Sequence, residues 1–298
     1  MLKDNYNASL HWNITSKCNL NCSYCFSNMP EQNIIKRLAA LLKKQTSWKL
    51  RQIEEKAAEI DIPSLVTNLG RMNRTFRIDF TGGEPFMIPN FVETCEQITK
   101  KHFISFSTNL TSDKIRIFTS RIDPARVINI VASLHIKELE RLGLTDRYVD
   151  NFMICKNMGF NIHALEVAYP PLLEEAQKYK CLFEKRGIEL QYSPFCGIYN
   201  GKQYPGAYSD EELQAFGINK SEQQVFYQKG KYCNAGYNIA VVLRTGEVQP
   251  CYNIKKKMGN IYDVIKFNNE INACAYEYCF CPLNIHDRYL YEKAIKII

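Results

Sequence analysis

The sequence has no run approaching the ~18 apolar residues that a membrane-crossing helix needs. Its longest apolar stretches, such as Ile239–Leu243, are strand-sized. The opening residues MLKDNYNASLHW hold no apolar block of signal-peptide length. These absences set the expectation of a cytoplasmic protein with no membrane partner. There is no internal repeat and no low-complexity tract. Neither sign of charge dominates, since 38 basic side chains face 31 acidic ones for a net +7. The only basic triplet, Lys255–Lys257, is too short for the basic stripe that nucleic acid requires, so no nucleic-acid partner is expected. Disorder is excluded by an apolar fraction of 46% and an aromatic fraction of 12%. Twelve cysteines make about 4% of the chain, below the ~8–10% of a secreted disulfide scaffold.

What is present is alternation. Strands are expected at Leu10–Thr15, Phe76–Thr81, Ile104–Thr108, Val127–Leu134, Ile162–Val167 and Ile188–Tyr192. Apolar residues at three-to-four spacing predict helices between them. The first pair covers Ile34–Leu42 and Ile53–Ile60, with Pro63 and Gly70 ending it. Further helices are expected at Phe91–Lys101, Asp113–Ser120, Ile136–Leu142, Val149–Met158 and Glu174–Arg186. About six strand–helix repeats predict a parallel sheet with helices outside, either open and doubly wound or a full or partial barrel. The segment 196–213, rich in Gly, Pro, Tyr and Asn, reads as a linker. Beyond it, Asn238–Leu243, a turn at Arg244–Glu247 and Val248–Gln249 predict a hairpin. The chain is accordingly divided into residues 1–198 and 199–298.

Cys18, Cys22 and Cys25 follow the first strand in the spacing C-x3-C-x2-C. In a reducing compartment such thiols are free, metal-bound or catalytic. Soft thiolates select zinc, copper(I) or iron–sulfur. Structural zinc takes four protein ligands, and the nearest histidine, His11, lies in the strand. Three thiolates without a fourth favour a four-iron cluster with one iron open to a non-protein ligand. Zinc with a distant fourth ligand, and unmetallated buried thiols, are the rival readings.

With Tyr24 just ahead of the last cysteine, this motif resembles the signature of the radical S-adenosylmethionine (radical SAM) superfamily. The resemblance implies an α/β fold with a partial (β/α)6 TIM-like barrel. It also implies that the open iron chelates the amino and carboxylate groups of SAM and that the reduced cluster releases a 5′-deoxyadenosyl radical. Thr81–Pro85 reads Thr-Gly-Gly-Glu-Pro and resembles the family's GGEP motif, which implies that Gly82, Gly83, Glu84 and Pro85 hold the SAM amino group. By the same resemblance Ser107, Thr108 and Asn109 touch the SAM carboxylate or ribose, Ser133 the ribose, and the backbone of Phe26 the adenine. Glu166 is a looser match for an adenine contact, and a packed strand residue is its plainer reading.

Cys233, Gly246 and Cys251 resemble the opening of the SPASM and twitch subdomains, which implies an auxiliary four-iron cluster. Cys274, Cys279 and Cys281 follow. Five cysteines suffice for one cluster, so the shorter twitch form, a small C-terminal α+β domain, is implied. Its implied ligands are Cys233, Cys251, Cys279 and Cys281, with Cys274 as the alternative. Cys279-Phe-Cys281 departs from the family's closing C-x2-C, and a zinc ribbon of the same thiolates is the rival. Cys233 and Cys251 are not cross-strand partners, so Asn234–Asn238 must curl to bring Cys233 close. Cys95, Cys155 and Cys181 are expected as core thiols, and Cys196 as a candidate hydrogen-atom donor or a passive thiol.

The resemblance implies an enzyme that abstracts a hydrogen atom from a small polar metabolite (a sugar, amino sugar or cyclitol). Oxidation or epimerisation would follow, assisted by the auxiliary cluster. The alternative is a maturase that crosslinks or epimerises a ribosomally made peptide. The first strand starts by about residue 10, which leaves no expected peptide-recognition domain ahead of it and favours the small molecule. A flavodoxin or ferredoxin electron donor is expected, and such proteins are typically acidic, which suits the +7 charge.

Overall fold

The computed structural model describes residues 5–25, 59–219, 226–279, 290 and 292. Six strands lie side by side in chain order: β1 (Ala8–Thr15), β2 (Phe76–Gly82), β3 (Phe103–Thr108), β4 (Val127–Ser133), β5 (Ile162–Ala168) and β6 (Leu190–Pro194). Every neighbouring pair is parallel. The crossovers carry α1 (Ile62–Arg71), α2 (Phe91–Thr99), α3 (Lys114–Arg121), α4 (Ile136–Leu142), α5 (Thr145–Asn157) and α6 (Ala176–Glu184). This is the expected partial (β/α)6 barrel, and all six expected strands form.

Strand side chains alternate between faces. Ala8, Leu10 and Trp12 of β1 and Phe76, Ile78 and Phe80 of β2 are at most 1% exposed. They share one core with Leu65 and Leu69 of α1, Phe91 of α2 and Phe118 of α3. Phe86, Phe91, Phe106 and Phe118 meet edge to face, with centroids 5.1–5.9 Å apart, the arrangement that ring quadrupoles prefer. The opposite, concave face is mixed, with Phe103, Val131 and Leu165 among many polar residues. It carries Ser9, His11 and Asn13 of β1, Arg77, Asp79 and Thr81 of β2, Ser105 and Ser107 of β3, and Asn129 and Ser133 of β4.

Several details differ from the sequence reading. Pro63 begins a helix rather than ending one: it stands in the first turn of α1, where its missing N–H leaves no bond unmade. Asp61 caps that turn, accepting from Ser64 N at 3.1 Å. Gly70 lies inside the same helix. The helix expected at Ile34–Leu42, and most of Ile53–Ile60, fall outside the described residues. Cys95 and Cys155 are fully buried as expected. Cys181 is exposed, because α6 buries Ala176, Tyr179 and Phe183 on its other face.

The expected linker is structured. It forms β7 (Gly197–Tyr199), β8 (Lys202–Tyr204) and α7 (Asp210–Phe216), the last begun by a Ser209–Glu212 capping box. Tyr204, Tyr208, Leu213 and Phe216 join the main core. The Tyr208 hydroxyl donates to Ala168 O at 2.6 Å and accepts from Phe195 N at 2.8 Å. Buried aromatics, invisible as such in a Gly- and Pro-rich stretch, hold this segment down.

The remaining strands are short: β9 (Phe226–Tyr227), β10 (Tyr232–Cys233), β11 (Ile239–Val242), β12 (Glu247–Gln249), β13 (Gly259–Asn260), β14 (Asn272–Ala273) and β15 (Tyr278–Cys279). The expected hairpin is β11–β12, turned at Gly246 with φ +80°. β11 pairs in parallel with β1, and β12 and β13 continue antiparallel, giving one nine-stranded sheet, β13-β12-β11-β1-β2-β3-β4-β5-β6. β10 pairs with β14, and β9 with β15. No helix among the described residues is long and apolar enough to cross a membrane.

Candidate active site

β1 delivers the chain directly into residues 16–25, which carry Cys18, Cys22 and Cys25. The C-terminal ends of four neighbouring strands hold this loop. From β2, Gly83 N donates to Thr15 O at 2.6 Å and Glu84 N to Lys17 O at 2.7 Å. From the end of β3, Asn109 Nδ2 donates to Asn19 Oδ1 at 2.9 Å and reaches Cys18 Sγ at 3.8 Å. Asn19 Nδ2 donates to Thr111 Oγ1 at 2.8 Å. Beyond β4, Glu138 of α4 accepts from Asn21 N at 2.8 Å. From β5, Glu166 accepts from the Tyr24 hydroxyl at 2.8 Å, and that hydroxyl also lies 3.1 Å from His135 Nδ1.

The glycines of Thr81–Pro85 are explained by this bracing. A Cβ on Gly83 would sit 2.0 Å from Lys17 O, and one on Gly82, whose φ is +117°, would sit 2.2 Å from Thr15 O. Only glycine lets β2 approach the cysteine loop this closely. Glu84 is buried and takes three protein donors: Phe86 N at 3.1 Å, Thr108 Oγ1 at 2.8 Å and Asn109 N at 2.7 Å. Burial pushes its carboxyl up to about 7, against the pull of those hydrogen bonds. Glu166 is likewise pushed up to about 7 by burial, opposed by Ile136 N, Tyr24 and Val167 N.

The residues expected to touch SAM therefore fall into two groups. Gly82, Gly83, Glu84, Thr108 and Asn109, with the buried Pro85, form the frame behind the cysteine loop. Ser107 and Ser133 are half-buried and on the concave face. Phe26 and Cys281 lie outside the described residues. Sequence reasoning missed Asn19, Asn21, His135 and Glu138 as parts of the frame and undervalued Glu166. His135 carried a detectable signal only after folding, in its left-handed φ of +46°.

A second group of thiols stands around a cavity of about 800 Å³, whose wall includes Cys233, Cys251, Cys274 and Cys279. The expected curl is present: Tyr237 N and Asn238 N both donate to Asn234 O, and Gly236 turns with φ +83°. Burial pushes the Cys233 thiol up to about 11 and raises that of Cys251, and each is raised further by Coulombic contact with Cys274 and Cys279. In the first group, burial pushes Cys18 up to about 11, with Glu84 and Cys25 adding to it, and raises Cys22 further, with Cys18 and Cys25 adding to it. Cys196 is exposed beyond β6, with Sγ 3.9 Å from Pro194 O.

Both thiol sets fit iron–sulfur ligation in number and chemistry. Three thiols on one loop leave a cluster corner open, and four around a cavity close one. Buried thiols lose their protons only to a positive centre, which a cluster supplies. Among the described residues no three cysteine, histidine or carboxylate groups converge to hold a single metal ion. The thiols of the second set stand around the cavity.

Fold and site define a partial-barrel protein with three thiols on the loop after its first strand. A family model described as Radical SAM superfamily matches residues 12–175, more than half of the chain, and the chain belongs to that superfamily. The family implies a four-iron cluster and SAM. The chain is 23% identical over 241 residues to GTP 3′,8-cyclase of Clostridium perfringens, covering 75% of this chain and 66% of that protein, just under two thirds of its length. The structure of native anSMEcpe with bound AdoMet matches with TM-score 0.54 at 20% identity, over 86% of this chain and 78% of the other. Streptococcus suis SuiB bound to precursor peptide SuiA matches with TM-score 0.52 at 14% identity, over 88% and 64%. At these identities the structural likeness shows the fold.

Proposed function

We propose that this chain is a cytoplasmic radical SAM oxidoreductase or epimerase acting on a small polar metabolite, a sugar, amino sugar or cyclitol. When bound, the cluster and SAM supply a 5′-deoxyadenosyl radical that takes a hydrogen atom from substrate. Cys18, Cys22 and Cys25 hold the cluster. Gly82, Gly83, Glu84, Pro85, Thr108 and Asn109 fix the loop and offer backbone to the SAM amino end. Ser107, Ser133 and Phe26 complete the SAM contacts. Cys233, Cys251, Cys274 and Cys279, with Cys281 as the competing ligand, hold an auxiliary twitch-type cluster that accepts or returns an electron. Cys196 is the candidate hydrogen-atom donor. Electrons come from an acidic flavodoxin or ferredoxin, for which Lys256 in the wall of the auxiliary cavity supplies complementary charge.

The observation that carries this reading is the three-thiol loop pinned by the ends of β2 to β5, the end of the barrel where such folds do chemistry. The test is anaerobic reconstitution followed by measurement of 5′-deoxyadenosine. Wild type is expected to form it under reduction, and Cys22→Ala to form none. Undiminished formation in Cys22→Ala contradicts the assignment. A second reading, maturation of a ribosomally made peptide, is supported by the fold shared with SuiB, whose structure holds a precursor peptide. Deuterium transferred into 5′-deoxyadenosine from a labelled sugar, or from a labelled peptide, separates the two.

A further inference from the structure

Strand register sets six residues in one line across the sheet: Gln249, Val241, His11, Asp79, Ser105 and Asn129, from β12 to β4. Five of the six are polar. Parallel strands buried on both faces ordinarily carry Val, Ile and Leu, and the helix-facing side of these same strands is apolar. The row is also under-satisfied. Among the described residues, the buried atoms Gln249 Oε1, Ser105 Oγ and Asn129 Oδ1 have no hydrogen-bond partner, and Asn13 Oδ1, two residues beyond His11, is a fourth such atom. Ser105 is only 5% exposed and Gln249 6%. A buried acceptor left unpaired is costly, and four on one concave face mark a place where a ligand brings the donors.

The row's position fits. At Val241 the row joins a small apolar core of Tyr6, Phe103, Ile239 and Leu290. From the row β3 and β4 continue to Ser107 and Ser133 and then to the cysteine loop. Its charges are balanced internally. Asp79 takes Arg77 at 2.8 Å and the Ser9 hydroxyl at 3.3 Å. His163 of β5 lies 3.2 Å from Asn129 Nδ2, and burial holds its imidazole below the usual range. His11 Nδ1 meets the Tyr252 hydroxyl at 2.5 Å. The unpaired atoms of the row can all accept, and the Arg77 guanidinium beside it is engaged by Asp79.

We infer that this row binds a neutral or cationic ligand with several hydroxyl or ammonium donors, a cyclitol, sugar or amino sugar, and selects against phosphate-bearing ligands such as nucleotides. The inference rests on the proposed function for what is done to the ligand, while the binding itself is measured independently. The experiment is calorimetric titration of the SAM-loaded holoenzyme with D-glucosamine, myo-inositol and GTP, in wild type and in Ser105→Ala and Asn129→Leu. At least one of glucosamine and inositol is expected to bind wild type, with affinity reduced tenfold or more in both variants. GTP affinity is expected to be the same in all three. Unliganded Ser105→Ala is expected to unfold at or above the wild-type midpoint, because it loses an unpaired polar atom, whereas Asn129→Leu also gives up the Nδ2 contact with His163.

Failure of both polyols to bind overturns the inference. So does GTP binding that weakens with the row, or a midpoint several degrees lower in both variants, which makes the row fold glue. Loss of reductive 5′-deoxyadenosine formation in wild type with polyol binding intact sinks the proposed function and leaves the binding site standing.

Discussion

Glu84 shows how a single residue changes meaning between sequence and structure. In the motif it looks like an acceptor for a ligand ammonium. In the fold its oxygens collect Phe86 N, Thr108 Oγ1 and Asn109 N, tying the end of β2 to the end of β3. Phe86 is two residues away, but Thr108 at the end of β3 and Asn109 just past it are 24 and 25 away, and only the strand pairing reveals those two. Burial raises its folded pKa from 4.5 to about 7. A carboxyl raised on folding stabilises the fold fully below its unfolded pKa, and the stability drains away as pH climbs through the folded value. Chemical denaturation from pH 4 to pH 8 is therefore expected to show wild type losing stability over roughly pH 4.5–7 more steeply than Glu84→Gln. Glu166, raised in the same direction, contributes equally to both proteins and cancels. Parallel pH profiles would show that Glu84 keeps its charge in the fold. By contrast Cys18, Cys22 and Cys25 were legible at once, because three thiols within eight residues have no ordinary packing explanation.

At the scale of elements, the cysteine loop and the turn after β2 form one unit. Gly83 is the contact point, and the nearest atoms to its missing Cβ are backbone, Lys17 O at 2.0 Å and Lys17 C at 2.6 Å. Backbone cannot swing aside as a side chain does, so Gly83→Ala must push the loop off its seat. The expected outcome is loss of the first cluster, about four irons, with the auxiliary cluster retained and 5′-deoxyadenosine formation lost. Iron and sulfide counts with electron paramagnetic resonance of the reduced protein check this, and an unchanged iron content would refute the bracing argument. The strands themselves were readable because parallel-sheet runs such as Phe76–Phe80 and Ile104–Phe106 are dense in β-branched and aromatic residues. The segment 196–213 was not, since its Gly and Pro content suggested a linker while Tyr204, Tyr208 and Leu213 bury against the barrel. Pro63 was misread for a related reason: proline marks a helix boundary without saying which end.

Across the whole molecule, the two thiol sites are built on one sheet. β11 pairs with β1, the strand that launches the first cysteine loop, and Cys251 lies just past β12. Arg244, in the β11–β12 turn, donates to Ser16 Oγ at 2.6 Å, two residues before Cys18. Asn68 of α1 donates to Ile261 O at 2.9 Å, and Arg74 to Tyr237 O at 2.6 Å. The C-terminal residues are thereby fixed to the barrel at several separated points, and the auxiliary cavity inherits the barrel's rigidity. Spacing alone left open which four of five cysteines close that cavity. The fold favours Cys274 as a member, because Cys274 N donates to Lys231 O and Cys274 O accepts from Gly230 N, which holds it beside Cys233. Cys274→Ala is accordingly expected to lose about four irons while keeping the first cluster's reduced signal and its reductive SAM cleavage. Cys181→Ala, on the exposed face of α6, is the control expected to keep full iron. Should Cys274→Ala retain every iron, Cys281 takes its place as the fourth ligand, and the β10–β14 pairing then holds Cys274 at the cavity wall without binding the cluster.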